Sequence, residues 1–189
     1  LIPGLVDMHT HLLSDGDDYP DSIAEDELKV MGANGVTTIR FDLKDASAPL
    51  VLDFETSRDH IKSVDANGRP AAINYVNGHI VIPAASLAVG ANAIRIGFTA
   101  GDASLNRSND FLYTLFVPAR ARLALPVFDQ PDMKGRWTVT LEHPAKWQSA
   151  ANGAETSRAT SGDRTTVTFA ETEPLPTYLV AFIAGDFKI

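Results

Sequence analysis

The chain has 189 residues, a formal net charge of −8, 44% hydrophobic and 21% charged residues. That is the composition of a soluble globular chain long enough to bury one real core, and its acidity speaks against nucleic acid and anionic membrane surfaces as partners. Without a single cysteine, disulfides, thiolate metal sites and cysteine nucleophiles are excluded and the compartment stays open, while no apolar run approaches the ~18 residues of a membrane span.

In chain order, "LVDM" (5–8) is a short apolar strand candidate leading into His9 and His11. The chain opens on Leu1-Ile2 rather than on a methionine and a basic leader, the texture of a processed or partial chain. After the polar loop "SDGDDYPD", Ser22 and Glu25 form a capping box that predicts a helix. Ile23, Leu28, Val30 and Met31 give it an apolar side, and "GANG" (32–35) stops it. "VTTIRF" from Val36 is a β-branched strand. Strand, helix and strand make one βαβ unit, whose strands would be parallel. Such a piece cannot bury both faces of its own sheet. Its second strand is therefore expected to join the rest of the fold, with the first strand and helix packing less well.

Beyond Phe41 the texture is β throughout. Strand candidates follow at 49–54, 60–64, 71–76, 79–83, 92–100, 110–116, 136–143, 164–171 and 177–187. Asn67-Gly68 and Asn77-Gly78 are hairpin-turn dipeptides. The alternation of Ile94, Ile96 and Phe98, and of Trp137, Val139 and Leu141, describes strands with one buried face. The expected fold is mainly β, a twisted antiparallel sandwich behind a short α/β segment, with residues 1–36 and 37–189 as its two parts.

The opening residues "LIPGLVDMHTHL" and the following "ANGVTTIR" resemble the start of the amidohydrolase superfamily. There, the first strand of a distorted (β/α)8 barrel ends in an H-x-H pair that binds metal. The resemblance implies His9 and His11 as zinc ligands, with Asp7 before them. Two histidines one residue apart on a strand share a face, but a catalytic zinc needs three protein ligands and an open water position. The other histidines, His60, His79 and His143, stand at no amidohydrolase strand end, so the pair reads as vestigial. The competing reading is a small metal-dependent hydrolase using His9 and His11.

A longer stretch, "SLNRSNDFLYTLFVPARARLALPVFDQPDMKGRWTVTLEHP" (104–144) and "FAETEPLPTYLVAFIAGDF" (169–187), resembles the N-terminal domain of the aminopeptidase N family of zinc metallopeptidases. In that family the domain is a saddle-like β structure preceding a catalytic domain with an H-E-x-x-H helix and a G-x-M-E-N strand. Neither motif occurs here. The resemblance implies a non-catalytic N-terminal domain that packs against and gates an absent catalytic domain. The two resemblances meet within residues 36–43, the pattern of a chimera. A third reading is a free-standing sandwich interaction module, self-associating through its uncovered docking face.

Other constellations give weaker signals. "DGDD" (15–18) and "EDE" (25–27) lack the calcium-loop pattern. No G-x-S-x-G elbow, Walker loop or dinucleotide fingerprint occurs, leaving Ser149 and Ser161 as ordinary turn residues. Arg120 and Arg122 share a side if extended, and pairing with Asp129 or Asp132 is the economical use for them. In the resemblance, Val117 stands where the family places a glutamine or glutamate that holds a substrate's amino terminus. A valine accepts no hydrogen bond, so no substrate-binding residue carries over. Within "FDQPDMK", Asp129 is expected to cap the following turn, Pro131 to start it and Phe128 to anchor it.

Overall fold

In the computed structural model, residues 6–13 are described as a strand backbone and residues 34–187 in full. The expected helix near residue 22 and the two acidic runs lie outside the described residues. Sixteen strands are described in chain order. They are β1 (Val6–Leu13), β2 (Asn34–Leu43), β3 (Leu50–Asp53), β4 (Ile61–Ala66), β5 (Arg69–Pro70), β6 (Tyr75–Val76), β7 (His79–Ile82) and β8 (Gly90–Thr99). Then follow β9 (Leu105–Arg107), β10 (Phe111–Thr114), β11 (Lys134–Pro144), β12 (Gln148–Ala151), β13 (Glu155–Ser161), β14 (Arg164–Phe169), β15 (Leu175–Pro176) and β16 (Phe182–Gly185). Among the described residues the helical segments are three-residue 3-10 turns, and none is long and apolar enough to cross a membrane.

The strands form a nine-stranded sheet in the order β13-β14-β11-β1-β2-β8-β4-β5, with β15 added to β11. A four-stranded sheet, β12-β16-β10-β9, and a three-stranded sheet, β3-β7-β6, complete the architecture. The mainly β expectation holds. So do the two hairpin turns: Asn67 and Gly68 have φ of 53° and 77°, Asn77 and Gly78 of 49° and 81°. Positive φ at both central residues matches the right-handed twist of flanking strands, which is why Asn-Gly serves there.

The opening unit differs from its expectation. β1 and β2 are antiparallel, with Asp7 opposite Arg40 and Leu13 opposite Asn34. They are therefore not the parallel neighbours of a βαβ unit. β1 also runs parallel to β11, from Val6 opposite Gly135 to Leu13 opposite Glu142. The first strand is thus laddered on both sides, inside the sheet rather than loosely beside it, and the sheet is mixed rather than wholly antiparallel.

The core lies on one face of the large sheet. β8 alternates, burying Ile94, Ile96 and Phe98 while Arg95 points to solvent. Ile39 and Phe41 of β2, Trp137, Val139 and Leu141 of β11 and Val167 and Phe169 of β14 continue that face. Against it pack Leu52, Ile80 and Ile82 from the small sheet and Val180 and Phe182 from the chain's end. Edge-to-face rings reinforce the packing: Phe54, after β3, meets Phe98 of the large sheet at 5.7 Å, and Phe116, after β10, meets Phe182 of the neighbouring β16 at 6.2 Å.

Several strand candidates are shorter than expected. Of the candidate at 71–76 only β6 remains, and the 177–187 run divides into a 3-10 turn (Thr177–Leu179) and β16. β13 is absent from the sequence reading because all seven of its residues are exposed, leaving no alternation to detect.

Candidate functional site

Three segments distant in sequence converge at the end of the small sheet. β3 and β7 are antiparallel, placing Asp53 opposite His79. Beyond the strand, Asp53 and Val127 exchange backbone hydrogen bonds of 2.8 and 3.0 Å, and the Glu55 amide donates to the Arg122 carbonyl. The "FDQP" stretch is thereby stitched to the end of β3. Phe128, 4% exposed, anchors it against Phe41 at 5.9 Å, as expected for an aromatic anchor.

Asp129 is buried, and its carboxylate joins three elements. One oxygen accepts the Thr177 hydroxyl at 2.5 Å. The other accepts the Arg122 backbone N–H at 3.1 Å and faces the Arg122 guanidinium at 3.5 Å. Asp129 does cap a turn, but it is the 3-10 turn Ala121–Leu123 preceding it. The turn that follows, closed by the Met133 N–H on the Gln130 carbonyl, is not the one it holds. Asp53 is the second buried acid: its Oδ2 accepts the Asp129 backbone N–H at 2.9 Å and the Gln130 amide at 2.8 Å. Its Oδ1 lies 3.3 Å from His79 Nε2, and His79 Nδ1 lies 2.8 Å from the Asn77 carbonyl.

Between these groups opens a shallow cleft of about 310 Å³, rimmed by Glu55, Asn77, Gly78 and Gln130. Arg122 crosses it to Glu55 at 2.7 Å, and that hydrogen bond, ahead of the charges of Glu55, Asp129 and Asp53, raises its pKa further above the ordinary arginine value. Tyr75, on the neighbouring β6, donates to the carbonyls of Thr56 and Phe54, and burial raises its pKa. Every acid in the cleft is engaged in joining segments, so the arrangement orders the "ARAR" and "FDQP" loops rather than presenting a free nucleophile or base. Pairing of Arg122 with Asp129 is as expected. Arg120 instead donates to the Ala103 carbonyl, because the 3-10 turn rotates the two arginines apart. Asp53, Glu55 and His79 were not legible as partners of this loop, since nothing local in "LVLDFE" or "NGH" points across the fold.

The remaining sequence candidates are dispersed. His9 and His11 sit on β1 in register with Thr38 and Val36 of β2 and with Thr138 and Thr140 of β11. His60 ends the 3-10 turn Arg58–His60 just before β4, its Nδ1 2.9 Å from the Thr99 carbonyl. Buried His143 bridges the two larger sheets: Nδ1 is 3.0 Å from the Pro144 carbonyl and Nε2 3.0 Å from Ser149 Oγ. Burial lowers its pKa, the Pro144 hydrogen bond partly opposing that shift. Among the described residues no three histidine, aspartate or glutamate side chains gather as a metal site. Ser161 lies at the end of exposed β13.

One further feature stands beside the four-stranded sheet. Leu115, Val117 and Leu179 are 47%, 65% and 50% exposed. They flank the Phe116–Phe182 contact, where Thr114 Oγ accepts the Phe182 N–H at 3.3 Å.

Comparison with known proteins decides among the folds this geometry could represent. Residues 94–179, which run from within β8 through β15 and hold the "FDQP" loop and Thr177, match the Peptidase M1 N-terminal domain. The chain resembles the N-terminal domain of the M1 peptidases. Putative aminopeptidase-2 of Caenorhabditis elegans is 26% identical over 179 residues, covering 82% of this chain and 9% of that protein. Aminopeptidase N of Streptomyces lividans is 25% identical over 162 residues, covering 80% of this chain and 18% of the relative. The crystal structure of the M1 zinc metallopeptidase from Deinococcus radiodurans superposes on 95% of this chain with a TM-score of 0.73, at 19% identity and over 41% of that protein. The M1-type N-terminal β fold is therefore established, and the chain spans only a minor part of the relatives it matches.

Proposed function

We propose that this chain is the non-catalytic N-terminal domain of a zinc aminopeptidase, packing against a catalytic domain and walling one side of its active-site cleft. The match over residues 94–179 carries the reading. It is supported by uncovered Leu115, Val117 and Leu179 beside the chain's last strands, and by the acid network that holds the "FDQP" loop in one shape. On this reading the zinc belongs to the catalytic partner, and His9 and His11 are a vestigial pair.

Two measurements test it. The chain alone, with zinc added, is expected to leave aminoacyl anilides intact, and to bind the catalytic domain of a relative such as the Streptomyces lividans aminopeptidase N. Joint Leu115→Ser, Val117→Ser and Leu179→Ser substitution is expected to weaken that binding without unfolding the chain. Turnover by the chain itself, or association untouched by the triple substitution, overturns the proposal. Stoichiometric zinc in the isolated chain, lost in the His9→Ala, His11→Ala double variant, would favour the metal-dependent hydrolase instead.

A further inference from the structure

Four Asn-Gly dipeptides occur in the chain, beginning at Asn34, Asn67, Asn77 and Asn152, and the fold treats their side chains unequally. Asn34 Oδ1 accepts the Thr99 hydroxyl at 2.7 Å within β2. Asn152 donates to the Leu179 carbonyl at 3.1 Å and accepts the Ala181 N–H at 2.7 Å. Asn67 and Asn77 are a closer comparison, since they occupy the same place in two hairpin turns with nearly the same φ, 53° and 49°. The Asn67 amide donates to the Ser86 carbonyl at 3.1 Å and to Asn92 Oδ1 at 3.0 Å, and its oxygen accepts the Ala93 N–H at 2.9 Å. Asn77 is exposed, and among the described residues its side-chain amide has no hydrogen-bond partner.

We infer that Asn77 is the chain's site of spontaneous deamidation, a covalent modification that places a new carboxylate on the rim of the acid-lined cleft. Asparagine before glycine is intrinsically labile, because no side chain on the next residue hinders attack. The Gly78 backbone nitrogen attacks Asn77 Cγ, forming an N–C bond and giving up its proton. The Cγ–Nδ2 bond breaks and ammonia leaves, producing a succinimide. Water then opens the ring at either carbonyl, giving aspartate or isoaspartate. The attack needs the side chain to rotate towards its own backbone. At Asn67 that rotation breaks three hydrogen bonds, at Asn152 two, and at Asn77 none. Each net hydrogen bond is worth roughly a fivefold shift in population, so losing two or more outweighs the small difference between the two hairpins.

The product alters a defined place. Asn77 and Gly78 line the cleft with Asp53, Glu55 and Asp129, and the Asn77 carbonyl faces His79 Nδ1 at 2.8 Å. A carboxylate there adds to an already negative rim, and an isoaspartate adds a backbone carbon to a two-residue turn.

The test is to age the folded chain in mildly alkaline buffer, then locate the one-dalton mass gain by peptide fragmentation. A parallel sample is aged in denaturant. In the folded chain Asn77 is expected to convert roughly 25-fold faster than Asn152 and on the order of 100-fold faster than Asn67, with the gap collapsing in denaturant, where the hydrogen bonds are gone. Equal rates in the folded chain overturn the inference. So does a gap that survives denaturation, which would assign it to neighbouring sequence instead of the fold. An Asn77→Gln variant should abolish the dominant conversion and leave the slow ones unchanged.

Discussion

β8 and β13 belong to the same sheet and have opposite chemistry. β8 lies between β2 and β4, laddered with both, and alternates buried Ile94, Ile96 and Phe98 with outward residues. β13 lies at the edge, paired with β14 alone, and every one of its seven residues is exposed. The central strand is held by burial, which is proportional to apolar area removed from water. The edge strand is held by its backbone ladder and by small surface pairs such as Arg158 with Glu155 at 2.7 Å. One strand should be intolerant of change and the other nearly indifferent.

The largest effect should come from Phe98→Ala. It empties a site that is 1% exposed beside the Phe54 ring, at a cost of about 3–5 kcal/mol in denaturant unfolding. A cost near zero would mean that the β8 face is not the core.

Next is Asp129→Ala, at about 3 kcal/mol, because it strands the half-buried Arg122 N–H and the buried Thr177 hydroxyl together. Thr177→Val removes one of those partners, and a double-mutant cycle of the two should show coupling. Additive effects would break the view of this carboxylate as a junction.

His143 supplies a pH test between those extremes. Burial lowers its folded pKa below the ordinary 6.5, so the unfolded chain takes up a proton before the folded one does. The contribution is fully present above about pH 6.5 and is lost as pH falls from there towards the lowered folded value. A His143→Gln variant should flatten the slope of unfolding free energy against pH in that acid window. An unchanged slope would show that the bridge between the two sheets does not titrate.

The smallest effect is expected at Arg158→Ala. Its ion pair is exposed on β13, so stability should change by less than about 0.5 kcal/mol and the change should shrink with salt. A larger loss would make the edge more than its own ladder.

The strands legible in the sequence are those that cover a core on one side. "NAIRIGF" and "RWTVTLE" announce themselves by period-two burial, and the two hairpins by the positive φ that Asn-Gly tolerates. β12 and β13 have no such pattern, since polar residues on both faces look like loop. The candidate site was legible by half. Pro, Phe, Asp and Gln in "LPVFDQP" carried the resemblance, and Arg122 with Asp129 was the expected pair. The other half of the cleft, Asp53, Glu55 and His79, comes from 43 to 76 residues away, the separations of His79 from Arg122 and of Asp53 from Asp129.

What the sequence determined by itself is whatever a few neighbouring residues decide: alternation, turn handedness, an aromatic anchor, a chain rich in strands. Tertiary structure alone decided that β1 runs antiparallel to β2 and parallel to β11, that Asp129 caps the turn before it, and that Arg122 spans from Asp129 to Glu55. Those outcomes depend on which backbone edges and charges meet after collapse. A carboxylate at position 129 has the same local neighbours whether or not Asp53 arrives beside it, so only the folded chain distinguishes the two.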